Sequence, residues 1–240
     1  MMDNNEWLSR TELLIGVKNL NKIQKANILI VGLGGVGAYA AENICRAGVG
    51  KITIIDGDKF QESNLNRQLG ALKSSIGELK ADYMAKRLLD INPKLQLTSI
   101  KKYITDEEME KLSLKEFDFI IDAIDTLSPK LSLIKNALSC NIPLVSSMGA
   151  GGRLHPEMVK IADISKSYNC KLARIIRKNL HKDGIYKGFK VVYSPEVIPE
   201  EAVKLVEGER NKKSMAGTIS YMPPIFGCFC ASVVINDLIN

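Results

Sequence analysis

The sequence predicts an α/β fold in which helices cover both faces of a doubly wound, mostly parallel sheet. Short apolar segments alternate with segments of helical spacing over residues 9–147, which is typical of parallel strands joined by helices. One of these segments, Ile28–Val31, carries only apolar side chains, as expected for a strand that is buried on both faces. A glycine-rich turn and a helical stretch follow it directly.

The elements before residue 152 are predicted from spacing and from turn residues. A helix over 9–25 has apolar side chains at helical spacing, at Leu13, Leu14, Val17 and Leu20. Strands are predicted over 28–31, 51–55, 95–100, 117–122 and 143–147. Helices are predicted over 38–47, 76–91, 106–112 and 129–140, the last with proline in its first turn.

Beyond residue 152 the alternation is weaker. We expect strands over 160–164 and 189–193, a helix over 168–182, a charged loop with a short helix over 199–216, and an apolar closing helix over 225–239. Leu172, Ile176 and Leu180 lie on one side of the helix over 168–182, and its basic residues lie largely on the other.

The composition fits a single globular domain. The chain has 240 residues, 45% apolar and 25% charged, which excludes disordered, collagen-like and coiled-coil classes. Its five cysteines are an odd number without a C-x-x-C pair, which argues against a disulfide framework and a cysteine zinc site. The first six residues are polar and acidic, and the longest nearly apolar stretch, 225–235, is too short to span a bilayer. We therefore expect a cytoplasmic protein without a signal peptide or stable membrane insertion.

Positive charge is concentrated in one segment. The chain has 33 lysine and arginine residues against 27 acidic residues, a net charge of +6. Residues 166–190 contain eight positive side chains and one acid, Asp183, so this segment carries +7 and the rest of the chain −1. The positive residues are Lys166, Lys171, Arg174, Arg177, Lys178, Lys182, Lys187 and Lys190. Such local basicity indicates a surface that binds a polyanion, and a solvated helix face is the alternative.

The glycine-rich turn indicates a nucleotide site. Gly32, Gly34 and Gly37 match the G-x-G-x-x-G pattern, with Gly35 between them, and the turn joins a predicted strand to a predicted helix. Glycines allow the backbone to approach a phosphate, and the helix N-terminus favours negative charge. Asp56 ends the next strand, where a carboxylate can accept hydrogen bonds from ribose hydroxyls. We therefore predict binding of an adenosine nucleotide, with a ligand-free packing turn as the alternative.

Charged residues after two of the predicted strands favour ATP over a dinucleotide. Arg67 and Lys80 are 13 residues apart and are able to converge on a triphosphate. Asp122 and Asp125 lie at and just beyond the carboxyl end of a strand, the edge at which open α/β sheets bind ligands. A carboxylate there can hold Mg²⁺, which prefers oxygen ligands, water and phosphates. For any one of these residues alone, a surface salt bridge is the alternative.

Several motifs taken together resemble the ubiquitin-activating-enzyme-like adenylating superfamily over about residues 8–155 and imply a Rossmann-like fold. They are G-L-G-G-V-G at 32–37, D-G-D at 56–58, N-L-N-R-Q at 64–68, Lys80 and D-A-I-D at 122–125. The resemblance implies that Arg67, Lys80 and Asp125 are catalytic, with Asp125 holding Mg²⁺. It implies ATP contacts from Gly32, Gly34, Gly35, Gly37, Asp56, Asp58, Asn64, Arg67, Gln68, Lys80 and Asp122.

The rest of the chain resembles one branch of that superfamily, the tRNA threonylcarbamoyladenosine dehydratases. The matching segments are G-A-G-G at 149–152, K-I-A-D-I-S-K-S at 160–167, the basic helix and V-Y-S-P-E at 192–196. This resemblance covers nearly the whole chain. It implies adenylation of the threonine carboxylate on a modified tRNA adenosine, then ring closure and release of AMP. ATP and Mg²⁺ are the implied cofactors, and a monovalent cation is left open.

The same resemblance implies an organisation and a set of RNA contacts. It divides the chain into an ATP-binding adenylating core over 1–155 and a tRNA-binding extension with the closing helix over 156–240, in one continuous globule. It also implies a homodimer. Together with the charge, it predicts tRNA contacts from Lys171, Arg174, Arg177, Lys178 and Lys182. The roles of Arg10, Ser194 and Glu196 are left open, although relatives place an N-terminal arginine near ATP across the dimer interface and the other two near the substrate.

Three other functions stay open. An adenylyltransferase for a ubiquitin-like sulfur carrier would bind a C-terminal Gly-Gly tail, but such enzymes usually carry two C-x-x-C zinc pairs that this chain lacks. A nucleotide sensor or scaffold would not need Arg67, Lys80 and Asp125 together. An NAD dehydrogenase binds no triphosphate, so it would not need the cations Arg67 and Lys80 together.

Overall fold

Seven strands form one mostly parallel sheet in the computed structural model, which describes residues 6–105, 108, 112–205 and 214–240. They are β1 Asn27–Val31, β2 Lys51–Ile55, β3 Gln96–Ile100, β4 Phe119–Asp122, β5 Leu144–Ser147, β6 Lys160–Asp163 and β7 Lys190–Tyr193. Their order in the sheet is β3-β2-β1-β4-β5-β7-β6. Neighbouring strands are parallel except β6, which is antiparallel to β7. The predicted α/β fold with a mostly parallel sheet is confirmed.

Helices cover both faces of this sheet. They are α1 Ser9–Lys25, α2 Gly37–Arg46, α3 Lys80–Ile91, α4 Leu127–Ser139, α5 Lys171–His181 and α6 Met222–Ile239. Ile28 and Ile30 of β1 pack in a core with α2, α3 and α6, whereas Leu29 and Val31 pack in a second core with α4 and α5. Successive side chains of a strand point to opposite faces. Residues 28–31 are all apolar because both faces are buried.

The first helix is only partly packed on the core. Gly16 interrupts α1 with φ +79°, a left-handed value that glycine adopts without steric cost. Leu20 is 3% exposed, but Leu13, Leu14 and Val17 are 88%, 85% and 58% exposed. The apolar spacing that predicts this helix therefore does not mark a face that is buried within the chain.

The closing helix is longer than predicted. It begins at Met222 rather than Ile225, because two prolines occupy its first turn, where the missing N–H groups cost no helical hydrogen bond. By length and composition α6 could cross a membrane, and it is the one such helix in the described part of the chain. Here it packs on α2 so closely that a Cβ at Gly227 would lie 2.4 Å from the carbonyl oxygen of Val36.

The charged loop predicted over 199–216 contains a hairpin. Its strands, β8 Val203–Leu205 and β9 Ser214–Ala216, pair antiparallel. The short helix predicted there is the 3-10 helix Glu200–Ala202. The helix predicted over 106–112 lies mostly outside the described residues.

Segments on both sides of residue 155 share the sheet and the core. β7 pairs with β5, and α6 packs against α2 in the same core as β1. The division into an adenylating core over 1–155 and a tRNA-binding extension over 156–240 stays a prediction, since it concerns function rather than packing.

A buried ion pair fixes the end of β4. The carboxylate of Asp122 lies 2.6 Å from Lys130 Nζ of α4, and both side chains are 0% exposed. The hydroxyl of Ser146 on β5 donates to the same carboxylate at 2.5 Å and accepts from Lys130 Nζ at 3.1 Å. Buried charges are tolerated when they are paired and hydrogen-bonded. Here each of the three groups is a partner of the other two.

Lys130→Met should lower the free energy of unfolding by about 3–5 kcal/mol, because the Asp122 carboxylate would stay buried without its cation. Urea unfolding of the variant and the wild type measures the difference. The double variant Asp122→Asn/Lys130→Met should recover most of the loss, since it buries no charge. Equal losses in the single and double variants would contradict this interpretation.

Candidate functional site

Three loops meet at the carboxyl edge of the sheet. β2, β1 and β4 are neighbours. The helix after β1 covers one face of the sheet and the helix after β4 covers the other, so the winding reverses between these two strands. In open α/β sheets ligands bind at such a switch point. The fold therefore brings the glycine turn, Asp56 and residues 122–125 to one place, as predicted.

Two glycines of the turn are required by packing. Gly32 has φ +91°, and a Cβ there would lie 2.7 Å from the carbonyl oxygen of Ala123. A Cβ at Gly37 would lie 1.7 Å from the carbonyl oxygen of Gly32. Gly34 differs, because a Cβ there would meet the side-chain nitrogen of Gln68 at an ordinary distance of 3.8 Å. Gly34 thus faces the roomier side of the turn.

Asp56 and Lys80 form the second side of the site. One carboxylate oxygen of Asp56 accepts the Leu33 N–H at 2.6 Å, and the other accepts the Asp58 N–H at 2.7 Å. Burial raises the pKa of Asp56 above its ordinary value, although the charge of Lys80 and these two hydrogen bonds oppose the rise. Lys80 begins α3, four residues later than the predicted helix start, and its Nζ lies 2.9 Å from Asp58 Oδ2. An ammonium group has three donors, so Lys80 can bind a further oxygen while it holds Asp58.

Arg67 and Asn64 form the third side. Arg67 donates to Oδ1 of Asn66 at 2.8 Å. Burial lowers the pKa of Arg67, and the nearby carboxylate of Asp125 opposes this change. The guanidinium stays charged at neutral pH, since its ordinary pKa is above 12. Asn64 is buried, and its side-chain carbonyl accepts the Gln61 N–H at 3.1 Å, which shapes the loop that carries Arg67.

Gln68 carries a buried acceptor without a donor. The residue is 8% exposed, and within the described part of the chain its Oε1 is the one buried side-chain nitrogen or oxygen that lacks a hydrogen-bond partner. An unsatisfied buried acceptor costs free energy, so this atom favours a ligand with N–H or O–H donors. An adenosine nucleotide offers ribose hydroxyls and an adenine amine. The residues around Gly34 therefore fit such a ligand.

The two carboxylates after β4 lie in different environments. Asp122 is held by Lys130 and Ser146, and its Oδ1 accepts the Ile124 N–H at 3.1 Å. Its complete burial leaves no surface for the predicted contact with ATP, so it positions residues 122–125 from beneath. Asp125 is exposed. A single carboxylate suits Mg²⁺ that keeps water and phosphate ligands, whereas the described residues contain no cluster of three histidine, cysteine or acidic side chains for a protein-only metal site.

The basic residues of α5 and the turn after it divide into two groups. Four are exposed and are called here the basic face: Lys171, Arg174, Lys178 and Lys182. Arg177 turns inward, where it donates to the Ser167 hydroxyl and to the carbonyl oxygen of Ile164. This side chain therefore helps to hold the segment that precedes α5, and its tRNA contact stays a prediction.

Ser194 and Glu196 stabilise a loop beside the site. The hydroxyl of the buried Ser194 accepts the Glu196 N–H at 3.2 Å. The Glu196 carboxylate accepts the N–H groups of Leu154 and His155 at 2.9 and 3.0 Å, which joins the loop after β7 to the loop after β5. Arg10 lies exposed in the first turn of α1. Substrate contacts by these residues stay predictions.

Several residues that shape the site have no signal in the sequence. A lysine in a helix is usually exposed, so nothing in the sequence marks Lys130 as buried. Pro223 of α6 packs against the turn, where a Cβ at Gly35 would lie 2.8 Å from Pro223 Cβ. Asn66 donates to the carbonyl oxygen of Thr218 at 2.9 Å. Most of these contacts join residues that are far apart in the chain, so the residue spacing within one segment of the sequence does not predict them.

The chain matches known proteins over nearly its whole length. The ThiF family pattern matches residues 8–240. The chain is 38% identical over 239 residues to tRNA threonylcarbamoyladenosine dehydratase of Bacillus subtilis (strain 168), covering 97% of this chain and 94% of that protein. Its fold is similar to the crystal structure of Escherichia coli tRNA N6-threonylcarbamoyladenosine dehydratase, TcdA, in complex with ATP, with a TM-score of 0.88, 30% identity and coverage of 99% and 96% of the two chains. The complex of TcdA with AMP gives a TM-score of 0.87, 32% identity and coverage of 99% and 97%.

These comparisons confirm the resemblance inferred from the motifs. The matched region includes the glycine turn, the loop of Arg67 and the closing helix. Because the match extends over the sheet, the site and α6 alike, the chain belongs to the ThiF family.

Proposed function

We propose that this chain is an ATP-dependent tRNA threonylcarbamoyladenosine dehydratase. It activates the threonine carboxylate of the modified adenosine as an adenylate, and ring closure then removes one water overall. Similarity along the whole chain to enzymes of this name, one of them bound to ATP, supports the proposal. The observation in the site that carries it is the unsatisfied acceptor of Gln68 beside Gly34, which favours a ligand with hydrogen-bond donors such as an adenosine nucleotide.

The residues around the switch point have complementary tasks. Arg67 and Lys80 bind the phosphate oxygens and neutralise their charge, which lets an anionic carboxylate approach the α-phosphorus. Asp56 orients the ribose. Asp125 would hold Mg²⁺, which would supply further neutralisation of the phosphate charge. The substrate carboxylate is already ionised at neutral pH, so the first step needs no general base.

The reaction balances without an enzyme nucleophile. An oxygen of the threonine carboxylate forms a bond to the α-phosphorus while the bond to pyrophosphate breaks. A ureido atom of the same side chain then attacks the activated carbonyl carbon, AMP leaves, and the ureido group releases one proton to solvent. Both reacting groups belong to one nucleotide, so ring closure is intramolecular and gains from proximity.

The basic face contacts the phosphates of the tRNA. Phosphate contacts supply affinity and orientation, while the modified base, in a single-stranded loop, enters the site. A homodimer is supported by the exposed side chains of Leu13, Leu14 and Val17, which form an apolar surface that a second copy would cover. A monovalent cation and a cytoplasmic location stay predictions.

The strongest alternative is adenylation of the C-terminal Gly-Gly of a ubiquitin-like sulfur carrier. Enzymes of that kind often use a reactive cysteine. Burial raises the pKa of Cys45 to about 11 and also raises the pKa of Cys230, so neither thiol is a ready nucleophile at neutral pH. The basic face and the match to dehydratases at 38% identity favour RNA as the substrate.

Arg67→Ala and Lys80→Ala should each reduce AMP release from ATP and threonylcarbamoyl-modified tRNA by about 100-fold or more, because each removes a cation from the transition state. Lys73→Ala is the matched control, since Lys73 is 78% exposed and bridges Glu62 at the surface. It should keep wild-type turnover. Circular dichroism verifies that all three variants fold, and full turnover by either site variant would show that the cation assignment is wrong.

Lys171→Glu/Lys178→Glu should weaken tRNA binding and flatten its salt dependence by about one unit of slope per lost phosphate contact. ATP affinity should not change, because the basic face lies outside the nucleotide site. Lys86→Glu/Lys94→Glu is a control with the same charge change on exposed residues of another face. Titrations of labelled tRNA at several salt concentrations give the affinities. Wild-type affinity and slope in the α5 variant would remove this helix from the RNA site.

A further inference from the structure

The start of α5 lies at the same edge of the sheet as the nucleotide site. β7 runs parallel to β5, and its last residue, Tyr193, is opposite Lys160, the first residue of the antiparallel β6. Tyr168 contacts both residues. Lys160 Nζ donates to the Tyr168 hydroxyl at 2.8 Å, and the Tyr168 ring packs edge-to-face with Tyr193, with ring centroids 5.9 Å apart. Tyr168 therefore lies at the carboxyl edge, just before α5 begins.

The Tyr168 ring is exposed but held in one orientation. The residue is 47% exposed, whereas Tyr193 is 1% exposed. Lys160 Nζ lies 2.8 Å from the hydroxyl oxygen but 5.3 Å from the ring centroid, so the ammonium sits towards the hydroxyl end rather than over the ring centre. A ring that is already held loses little conformational freedom when a planar group stacks on it.

One positive side chain contacts this ring, and two more are close to it in the sequence. Lys160 contacts it, and Lys166 and Lys171 are exposed on either side of it in the chain. An aromatic ring among cations suits single-stranded nucleic acid, because a base stacks on the ring while neighbouring phosphates meet the ammonium groups. We propose that Tyr168 is a stacking platform for an unpaired base of the tRNA. The proposal rests on the proposed function and adds a contact that does not depend on phosphate charge.

The spacing of the sheet fits this role. Three strand-to-strand steps separate Asp122 at the end of β4 from Lys160 at the start of β6. At about 4.8 Å per step, the two strands are about 14 Å apart. Stacked nucleotides rise about 3.4 Å each, so about four nucleotides span this distance. A base near the modified adenosine in the same loop can therefore reach Tyr168 while the adenosine occupies the site.

Tyr186 provides a matched control for the experiment. It is 60% exposed and its ring contacts His181 with centroids 4.8 Å apart, but it precedes β7 and so lies at the opposite edge of the sheet. Without ATP, Tyr168→Ala should raise the Kd for threonylcarbamoyl-modified tRNA about fivefold or more, with an unchanged salt slope. Tyr186→Ala should change neither quantity. Lys171→Ala should instead reduce the salt slope by about one.

Two further variants distinguish the contribution of the Tyr168 ring to tRNA affinity from the contributions of its hydroxyl and of its packing on Tyr193. Tyr168→Phe keeps the ring and should lose less affinity than Tyr168→Ala. Tyr168→Leu keeps apolar contact with Tyr193 and should lose affinity as Tyr168→Ala does. Three outcomes would each overturn the platform. The first is wild-type affinity for tRNA in both Tyr168→Ala and Tyr168→Leu. The others are a loss of affinity in Tyr168→Phe, or in Tyr186→Ala, as large as the loss in Tyr168→Ala. AMP release by the wild type with modified tRNA tests the proposed function separately, so an active wild type with an unaffected Tyr168→Ala refutes the platform alone.

Discussion

The buried pair of Asp122 and Lys130 is the constraint on which the site depends. The carboxylate ends β4 inside the protein, where the lysine of α4 and the hydroxyl of β5 satisfy it. Its second oxygen holds the Ile124 N–H and so fixes the turn that presents Asp125. The glycine turn approaches this segment so closely that Gly32 has no room for a side chain. The shape of the nucleotide site thus depends on the buried Asp122 carboxylate, which only groups inside the protein can pair and hydrogen-bond.

The cations of the site are oriented by neighbouring groups of the same chain. Lys80 is paired with Asp58, and Arg67 donates a hydrogen bond to Oδ1 of Asn66. Long side chains that are already oriented lose less conformational freedom when a ligand binds, and a well-oriented site gains in rate. The Asp58 carboxylate also offsets part of the positive charge of the site.

The sheet and the glycine turn could be predicted from the sequence because local patterns report them. The apolar segment Ile28–Val31 indicates a strand that is buried on both faces, and the glycines after it indicate a tight turn. The burial of Asp122 could not be predicted, because its predicted contact with ATP assumed an exposed side chain. The fold buries Asp122 with Lys130, a partner on the following helix, and turns Arg177 towards Ser167. The spacing of Leu13 and Leu14 predicts a helix correctly, but spacing does not tell whether the covering surface belongs to the same chain.

The proposed function requires one tRNA to reach both the nucleotide site at the sheet edge and the basic face of α5. The measurement that tests this most directly combines wild-type protein, ATP and Mg²⁺ with tRNA that carries or lacks the threonylcarbamoyl group. Nucleoside masses and AMP are then determined together. We expect one AMP for each modified nucleoside that loses one water, and no AMP with the unmodified tRNA. AMP release without modified tRNA, or an unchanged nucleoside mass, would contradict the dehydratase assignment.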